Sequence, residues 1–316
     1  MADTFEAMAR RLLAYNAGVP QSLAEIWIRD RWRWLCEKRD WSFLRVGGQI
    51  VIPASTSTGT VAVTNGSATV VGTGTAWTSA LINQQFKFAG QAPVYNITAV
   101  TDATHLTIED EWALATSSGS SYLICQAWVT MPADFWTFRT IADPTNLWRL
   151  HTNFFDQTHL DRADPGRTSS GTPYIVAAFR DYVDPVTFIS YVRYEMWPAP
   201  TALRAYPYTY FKRAPDLTAT SVLPGIVTGD VLVTGALADL CRWPGPSMTE
   251  KNPMFNLSLA SDYEGRFQLR CAELGRQDNE VYNTDLDYAG YPLAPLSAQF
   301  MQSHGMMEFD TGGGWW

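Results

Sequence analysis

Residues Val63 to Trp77 read VTNGSATVVGTGTAW, a run of small, β-branched and glycine residues without a single charge. Alternating runs, GTVAV before and ATVVG after, flank Thr64-Asn65-Gly66-Ser67. Asn-Gly between two period-two runs is the strongest short-range signal for a β-hairpin, because both residues tolerate the positive φ of tight turns. Further period-two runs, QFKFAG, VYNITAV, HLTIEDEW and SYLICQAWV, follow with turn residues between them. This rhythm predicts a small antiparallel β sandwich or barrel over residues 58–126. GTGTAW contains Gly-x-Gly, but inside a hairpin rather than between strand and helix, so no phosphate cradle is expected there. Trp77 is expected to anchor the core of this module.

On either side the texture changes. Asp3-x-x-Glu6 and Ser22-x-x-Glu25 have the pattern of capping boxes. They predict one helix from Asp3 to about Asn16-Ala17-Gly18 and a second after Pro20. In the second, Leu23, Trp27, Trp34 and Lys38 share one face and Ile28, Trp32 and Leu35 another, which predicts burial on more than one side. Arg10, Arg11, Arg29, Arg31, Arg33, Lys38 and Arg39 read as a solvated helix face. QIVIP (Gln49–Pro53) reads as a strand.

Downstream, Pro132 and Asp134 in VTMPADFWTF stop a strand and begin a helical turn. HTNFF, TPYIVAAFRD and TFISYVRYEMWPAP read as strands, and DRADPGRTSSG as a mobile loop. YPYTYFKRAP reads as a strand with Tyr206, Tyr208 and Tyr210 on one face and Pro207 marking an edge. Gly229 to Cys241 reads as a buried helix. The longest helix is expected to open with Asn252 as N-cap and Pro253 in its first turn. Its stripe runs Phe255, Leu259, Tyr263, Phe267, Cys271 and Leu274, in steps of three or four. From Thr284 periodicity vanishes, and the segment ends in Trp315 and Trp316; such aromatics usually need a partner surface. The expected class is α+β. Residues 1–57 and 127–283 form a helical core with antiparallel strands, 58–126 an inserted all-β module, and 284–316 an extended C-terminal arm.

Composition narrows the function. Hydrophobic residues make up 46% of the 316 and charged residues 17%, the balance of a folded protein. The 13 tryptophans suit aromatic cores and subunit interfaces alike. A formal charge of −8 argues against bulk attraction to nucleic acid or anionic lipid. No apolar run is long enough for a membrane span, and the N-terminus lacks the apolar core of a signal peptide, so synthesis in a reducing cytosol is expected. Cys36, Cys125, Cys241 and Cys271 are scattered, which predicts buried free thiols.

Catalytic motifs are not found: no HExxH, GxSxG, Walker lysine loop or complete dinucleotide fingerprint occurs. His105, His151, His159 and His304 lack metal-ligand spacing, and no cofactor or metal is expected. Asn283-x-Asp285-x-Asp287 starts like a calcium loop, but Tyr288 stands where glycine belongs and Ala294 where glutamate belongs. Asp156 and Asp161 with His151 and His159 form the nearest approach to an acid–base cluster, which leaves a wall-degrading hydrolase as the weakest of three functional readings.

The order of elements supplies the strongest reading. Two N-terminal helices ending in RWRWLCEKRDW lead to a strand pair closing on VTMPADF. Then come SGTPYIVA, a tyrosine-rich strand after YEMWPAP, and a helix at GDVLVTGALADL before a long helix. Together these resemble the head-to-tail adaptor (connector) proteins of short-tailed bacteriophages, over about Asp3 to Asp285. Residues 61–110 are similar to a small β module found in many phage structural proteins, an insertion that plainer adaptors lack.

The resemblance implies a non-enzymatic virion protein at the head–tail junction. Its copies would form a homo-oligomeric, dodecameric ring that binds the portal protein above and tail or nozzle proteins below. Genomic DNA would pass through without specific binding. By position, Phe255, Leu259, Tyr263 and Phe267 belong to a ring or channel helix, and Met306, Met307, Phe309, Trp315 and Trp316 to a portal-docking arm. The remaining reading is a carbohydrate-binding tail protein using Trp77, Trp112 or the tyrosine strand as a sugar platform.

Overall fold

The computed structural model describes residues 4–88, 94–152, 156–184, 187–247 and 250–282. The fold is mixed α+β with mostly antiparallel sheets. It divides into two compact units, one from the residues up to Phe43 together with those from Asp216 onward, the other Leu44–Pro215.

The first unit opens with α1 (Phe5–Leu13), capped by Thr4, whose hydroxyl accepts from the Ala7 N–H at 3.2 Å. Asp3 lies outside the described residues. Helix α2 (Gln21–Glu37) starts directly after Pro20, which makes no side-chain cap. The predicted capping box therefore does not form: Ser22 already sits inside the first turn. Ile28, Trp32 and Leu35 are fully buried, while Trp27 and Trp34 are half-buried against Trp243 and Phe267. Trp41 Nε1 donates to the Leu35 carbonyl at 2.6 Å, alongside the long 3.4 Å bond from the Lys38 N–H that ends the helix.

In the second unit, β1 (Arg45–Ile52) precedes seven short strands. These are β2 (Thr60–Val63), β3 (Thr69–Thr73), β4 (Gln85–Phe88), β5 (Val94–Asp102), β6 (His105–Ile108), β7 (Ser117–Ser120) and β8 (Tyr122–Cys125). They form one antiparallel sheet in the order β7-β2-β3-β6-β5-β4-β8. The two edge strands are consecutive in the chain, so the sheet must curl toward itself, and it makes a half-barrel rather than two facing sheets. Trp77, Phe86, Trp112 and Tyr122 fill it, and Trp77 Nε1 donates to the Tyr122 hydroxyl at 3.1 Å. At the opening hairpin Val63 pairs with Val70, a wider connection than a two-residue turn. Ser67 N–H reaches the Thr64 carbonyl at 3.0 Å, and of the two central residues only Gly66 has positive φ, +76°. That is a type II turn, with glycine at its third position.

The remaining strands are β9 (Trp128–Thr130), β10 (Phe135–Asp143), β11 (Trp148–Arg149), β12 (Ser170–Gly171), β13 (Ile175–Val183), β14 (Ser190–Trp197), β15 (Ala199–Pro200) and β16 (Arg204–Lys212), with helix α3 (Gln157–Ala163) among them. One sheet runs β1-β16-β10-β11 and another β13-β14-β9. Their shared core holds Phe135, Phe138, Tyr194, Tyr206, Tyr208 and Tyr210. Strand β16 is interior, not an edge as Pro207 suggested. Pro207 lies just past Tyr208, the last residue paired with β10, so its missing N–H leaves no gap in that ladder. HTNFF forms no strand in its described part; His151 makes an isolated bridge to Ile175, and residues 153–155 lie outside the described set.

The chain then returns to the first unit with α4 (Gly229–Arg242) and α5 (Leu257–Tyr282). Helix α5 begins later than expected. Asn256 is its cap, accepting from Ser258 and Leu259 N–H at 3.0 Å. Asn252 instead closes α4: its amide donates to the Leu240 and Trp243 carbonyls at 2.7 and 2.8 Å. Its side-chain oxygen accepts from Asn16 and Met254 N–H at 2.8 and 2.9 Å. All four hydrogen-bonding positions of this buried amide are filled.

The helices are locked by Arg31, 9% exposed. Its Nε and Nη2 clasp Asp239 at 2.7 Å, and Nη1 and Nη2 clasp Glu264 at 2.9 Å. Gly235 makes the space, because a Cβ there would fall 2.9 Å from the Arg31 chain. Burial opposes the charge, but the two carboxylates outweigh it and raise the Arg31 pKa above its ordinary value. Burial likewise opposes ionisation of Glu264, yet Arg31 and Arg242 hold its pKa below the usual range.

Candidate functional site

The residues proposed as a sugar platform are core. Trp77 and Trp112 are 3% and 1% exposed, and Tyr206, Tyr208 and Tyr210 line the shared core of the two sheets. Trp77 and Trp112 follow β3 and β6 rather than lying in them, and fold back into the half-barrel core. Of the α5 stripe, Phe255 precedes the helix and is exposed, Leu259 and Tyr263 are half-buried, and Phe267, Cys271 and Leu274 are buried in their own unit. Met306, Met307, Phe309, Trp315 and Trp316 lie outside the described residues, as do His304, Asn283, Asp285 and Asp287.

Asp156 and Asp161 are each engaged by a different partner. Asp156 caps α3 and accepts from both the His159 ring and its N–H, which lowers the Asp156 pKa. A general acid needs the opposite shift. Asp161 pairs with Arg167 at 2.5 Å. His105 sits beside Asp102 in an exposed turn, where the Thr104 N–H and His105 hold that carboxyl at about 2. Among the described residues no group of three or more His, Cys, Asp or Glu is placed to hold a metal ion. None of the described helices is long and apolar enough to cross a membrane. The four cysteines are buried free thiols, and burial pushes Cys125 up to about 11.

A cleft of about 600 Å³ opens within the second unit. Its floor is one face of the sheet β13-β14-β9. Trp128 pairs with Glu195 and Glu195 with Ala177, so these three side chains share that face. Their neighbours Val129, Tyr194 and Val176 point into the core on the other. A β-bulge between Ala178 and Arg180 inserts Phe179, whose ring stacks on Trp128 at 4.7 Å and 26°; bulges re-aim side chains in this way. One wall, from the half-barrel, carries Tyr95, Asn96, Glu109 and Asp110. The other, from α3 and the following loop, carries Gln157, Asp161 and Gly166.

Arg167 binds the parts together. Its Nε donates to Glu195 at 2.5 Å, Nη2 to Asp161, and Nη1 to the Asp164 carbonyl at 2.7 Å. The loop expected to be mobile is cinched by the Asp164 carboxylate. That group accepts from Thr168 and Ser169 N–H at 2.7 and 2.8 Å, from the Thr168 hydroxyl, and from Trp197 Nε1 at 3.1 Å. Burial opposes its charge, but these donors hold the Asp164 pKa well below the carboxylate range. From the half-barrel, buried Lys87 donates to the Arg167 carbonyl, and Gln85 Oε1 accepts from the Trp128 N–H at 2.9 Å. Read as one strand, SYLICQAWV would put Trp128 on the face of Tyr122 and Ile124, but the chain breaks between β8 and β9; Phe179, Arg167 and Glu195 carried no signal beyond residue type. No protein family and no curated protein matches the chain.

Proposed function

We propose that the chain is a structural component of a tailed-phage virion, assembling side by side with copies of itself into a ring that joins portal to tail and continues the DNA channel. The observation that carries this reading is the outer face of α5. Ser258, Ser261, Gly265, Gln268, Leu269 and Ala272 lie within one third of a turn of one another and are all exposed, Leu269 at 73%. Over Ser258 to Ala272, about 21 Å of the helix, this face bears no charge and four of its six residues are small, which suits close packing against another helix; Arg276, one turn further along the same face, adds a cation toward its C-terminal end. Because Phe267 faces its own unit, the contact between copies falls on this opposite face. The net charge of −8 suits a channel along which DNA must slide without sticking. The arm from residue 284, with Met306, Met307, Phe309, Trp315 and Trp316, is assigned to the portal, and tail proteins bind the far side of the ring.

Negative-stain imaging and analytical ultracentrifugation of the full chain, with and without purified portal, test the proposal. Rings bound to portal are expected. Gly265→Glu should abolish them while the circular dichroism spectrum stays that of the folded chain and the melting temperature does not fall, because an added Cβ meets nothing there and glutamate favours the helix over glycine. A chain that stays monomeric and never binds portal rejects the reading.

A further inference from the structure

We infer that the cleft of the second unit is a binding site for an uncharged oligosaccharide, a property separate from ring assembly. Charge excludes anions first. Among the described lining residues, Glu109, Asp110, Asp161 and Glu195 stand against the single guanidinium of Arg167. A wholly apolar ligand is excluded too, since it would strip water from these groups without replacing the hydrogen bonds. What remains is a ligand with one flat apolar face and a rim of polar groups. The Phe179–Trp128 stack supplies the surface for that face, as aromatic rings do for the C–H side of a pyranose.

Hydrogen-bond inventory separates a sugar from a cation. An ammonium or guanidinium offers donors only, which would satisfy Glu109 and Asp110. It would leave unmatched the amide donors of Asn96 and Gln157 and the one Arg167 N–H, on Nη1, without a described acceptor. Hydroxyl groups donate and accept at once, and so fit carboxylate, amide and guanidinium together. The site is also preorganised: the Lys87 and Gln85 contacts, the Asp164 turn and the Arg167–Glu195 pair hold the floor and one wall in place before a ligand arrives. The volume falls inside the roughly 300–1,000 Å³ range of ligand clefts.

The test is a glycan array probed with the full chain, followed by calorimetry with the best neutral oligosaccharide and, in parallel, with spermidine. Saturable binding of at least one neutral glycan is expected. Phe179→Ala and Glu109→Gln should each weaken it at least tenfold, and Trp136→Ala, an exposed tryptophan elsewhere in the unit, should not. Melting curves check that each variant is folded, and Glu109→Gln, on an exposed side chain, keeps the test available if Phe179→Ala is unstable. Absence of any neutral glycan hit, binding of spermidine alone, or unchanged affinity in both folded cleft variants overturns the inference. Ring formation is scored separately, so either proposal can fail without the other.

Discussion

A guanidinium buried among three helices must be matched on every side, and Arg31 is matched by Asp239 and Glu264. Removing it leaves Asp239 and Glu264 facing each other with only the exposed Arg242 guanidinium beside them, so Arg31→Ala should cost about 3–5 kcal/mol. Arg31→Lys should recover little, because one ammonium cannot clasp two carboxylates in bidentate fashion. Urea unfolding followed by tryptophan fluorescence measures both. The same cluster sets a pH dependence. Folding lowers the Glu264 pKa, so its stabilisation is complete above the ordinary glutamate value of 4.5 and is lost as pH falls through the folded value. Melting temperature should therefore drop on acidification below about pH 4.5, and Glu264→Gln, less stable at neutral pH, should show a shallower drop. Sequence reading put Arg31 on a solvated face with its neighbours. Its partners stand 208 and 233 positions away, and nothing local to RDRWRW announces them.

Elements were more legible than their ends. The alternation around Asn65-Gly66 located a hairpin and its inward residues, because period two is imposed by the pleat itself. The turn type escaped, because the connection is also fixed by Asn65, whose amide donates to the Ala113 and Leu114 carbonyls of a distant loop. Glycines of this stretch differ in kind. Gly66 has only its φ to satisfy, and Gly66→Ala should cost about 1 kcal/mol. At Gly72 a Cβ would clash with the Thr75 side chain and fall 2.9 Å from the Trp77 ring, and Gly72→Ala should cost about 1–3 kcal/mol through overpacking. Chemical denaturation of the two variants side by side checks the order. Helix α5 gives the converse: its stripe was right from Phe267 onward, but Asn252-Pro253 mimicked a cap four residues early, because Asn252 serves the end of α4. Gly265, exposed and in helical conformation, should stabilise the chain by about 0.5–1 kcal/mol when replaced by alanine.

At the scale of the molecule, the two units carry separate cores, so the chain should unfold in two calorimetric transitions. Arg31→Ala should lower one and Gly72→Ala the other; a single transition shifted by both variants would mean that the units unfold together. The sequence showed the half-barrel because three of its pairings, β2 with β3, β4 with β5 and β5 with β6, join strands consecutive in the chain; the longer pairings of β7 with β2 and β8 with β4 carried no local signal. It hid the cleft, whose walls come from segments around residues 95, 109, 128, 161, 179 and 195. Only the fold brings them side by side.

The helical unit is assembled from the two ends of the sequence, and synthesis is directional. When α2 leaves the ribosome, its partners α4 and α5 have not been made. At about 5–20 residues per second they follow tens of seconds later, after the whole second unit has had time to fold. Through that interval Trp32 and Leu35 stay exposed and Arg31 unmatched, an apolar surface open to aggregation. A chain halted anywhere before α5 will present that same surface permanently, so truncated products should be cleared or aggregate even though their β unit is intact.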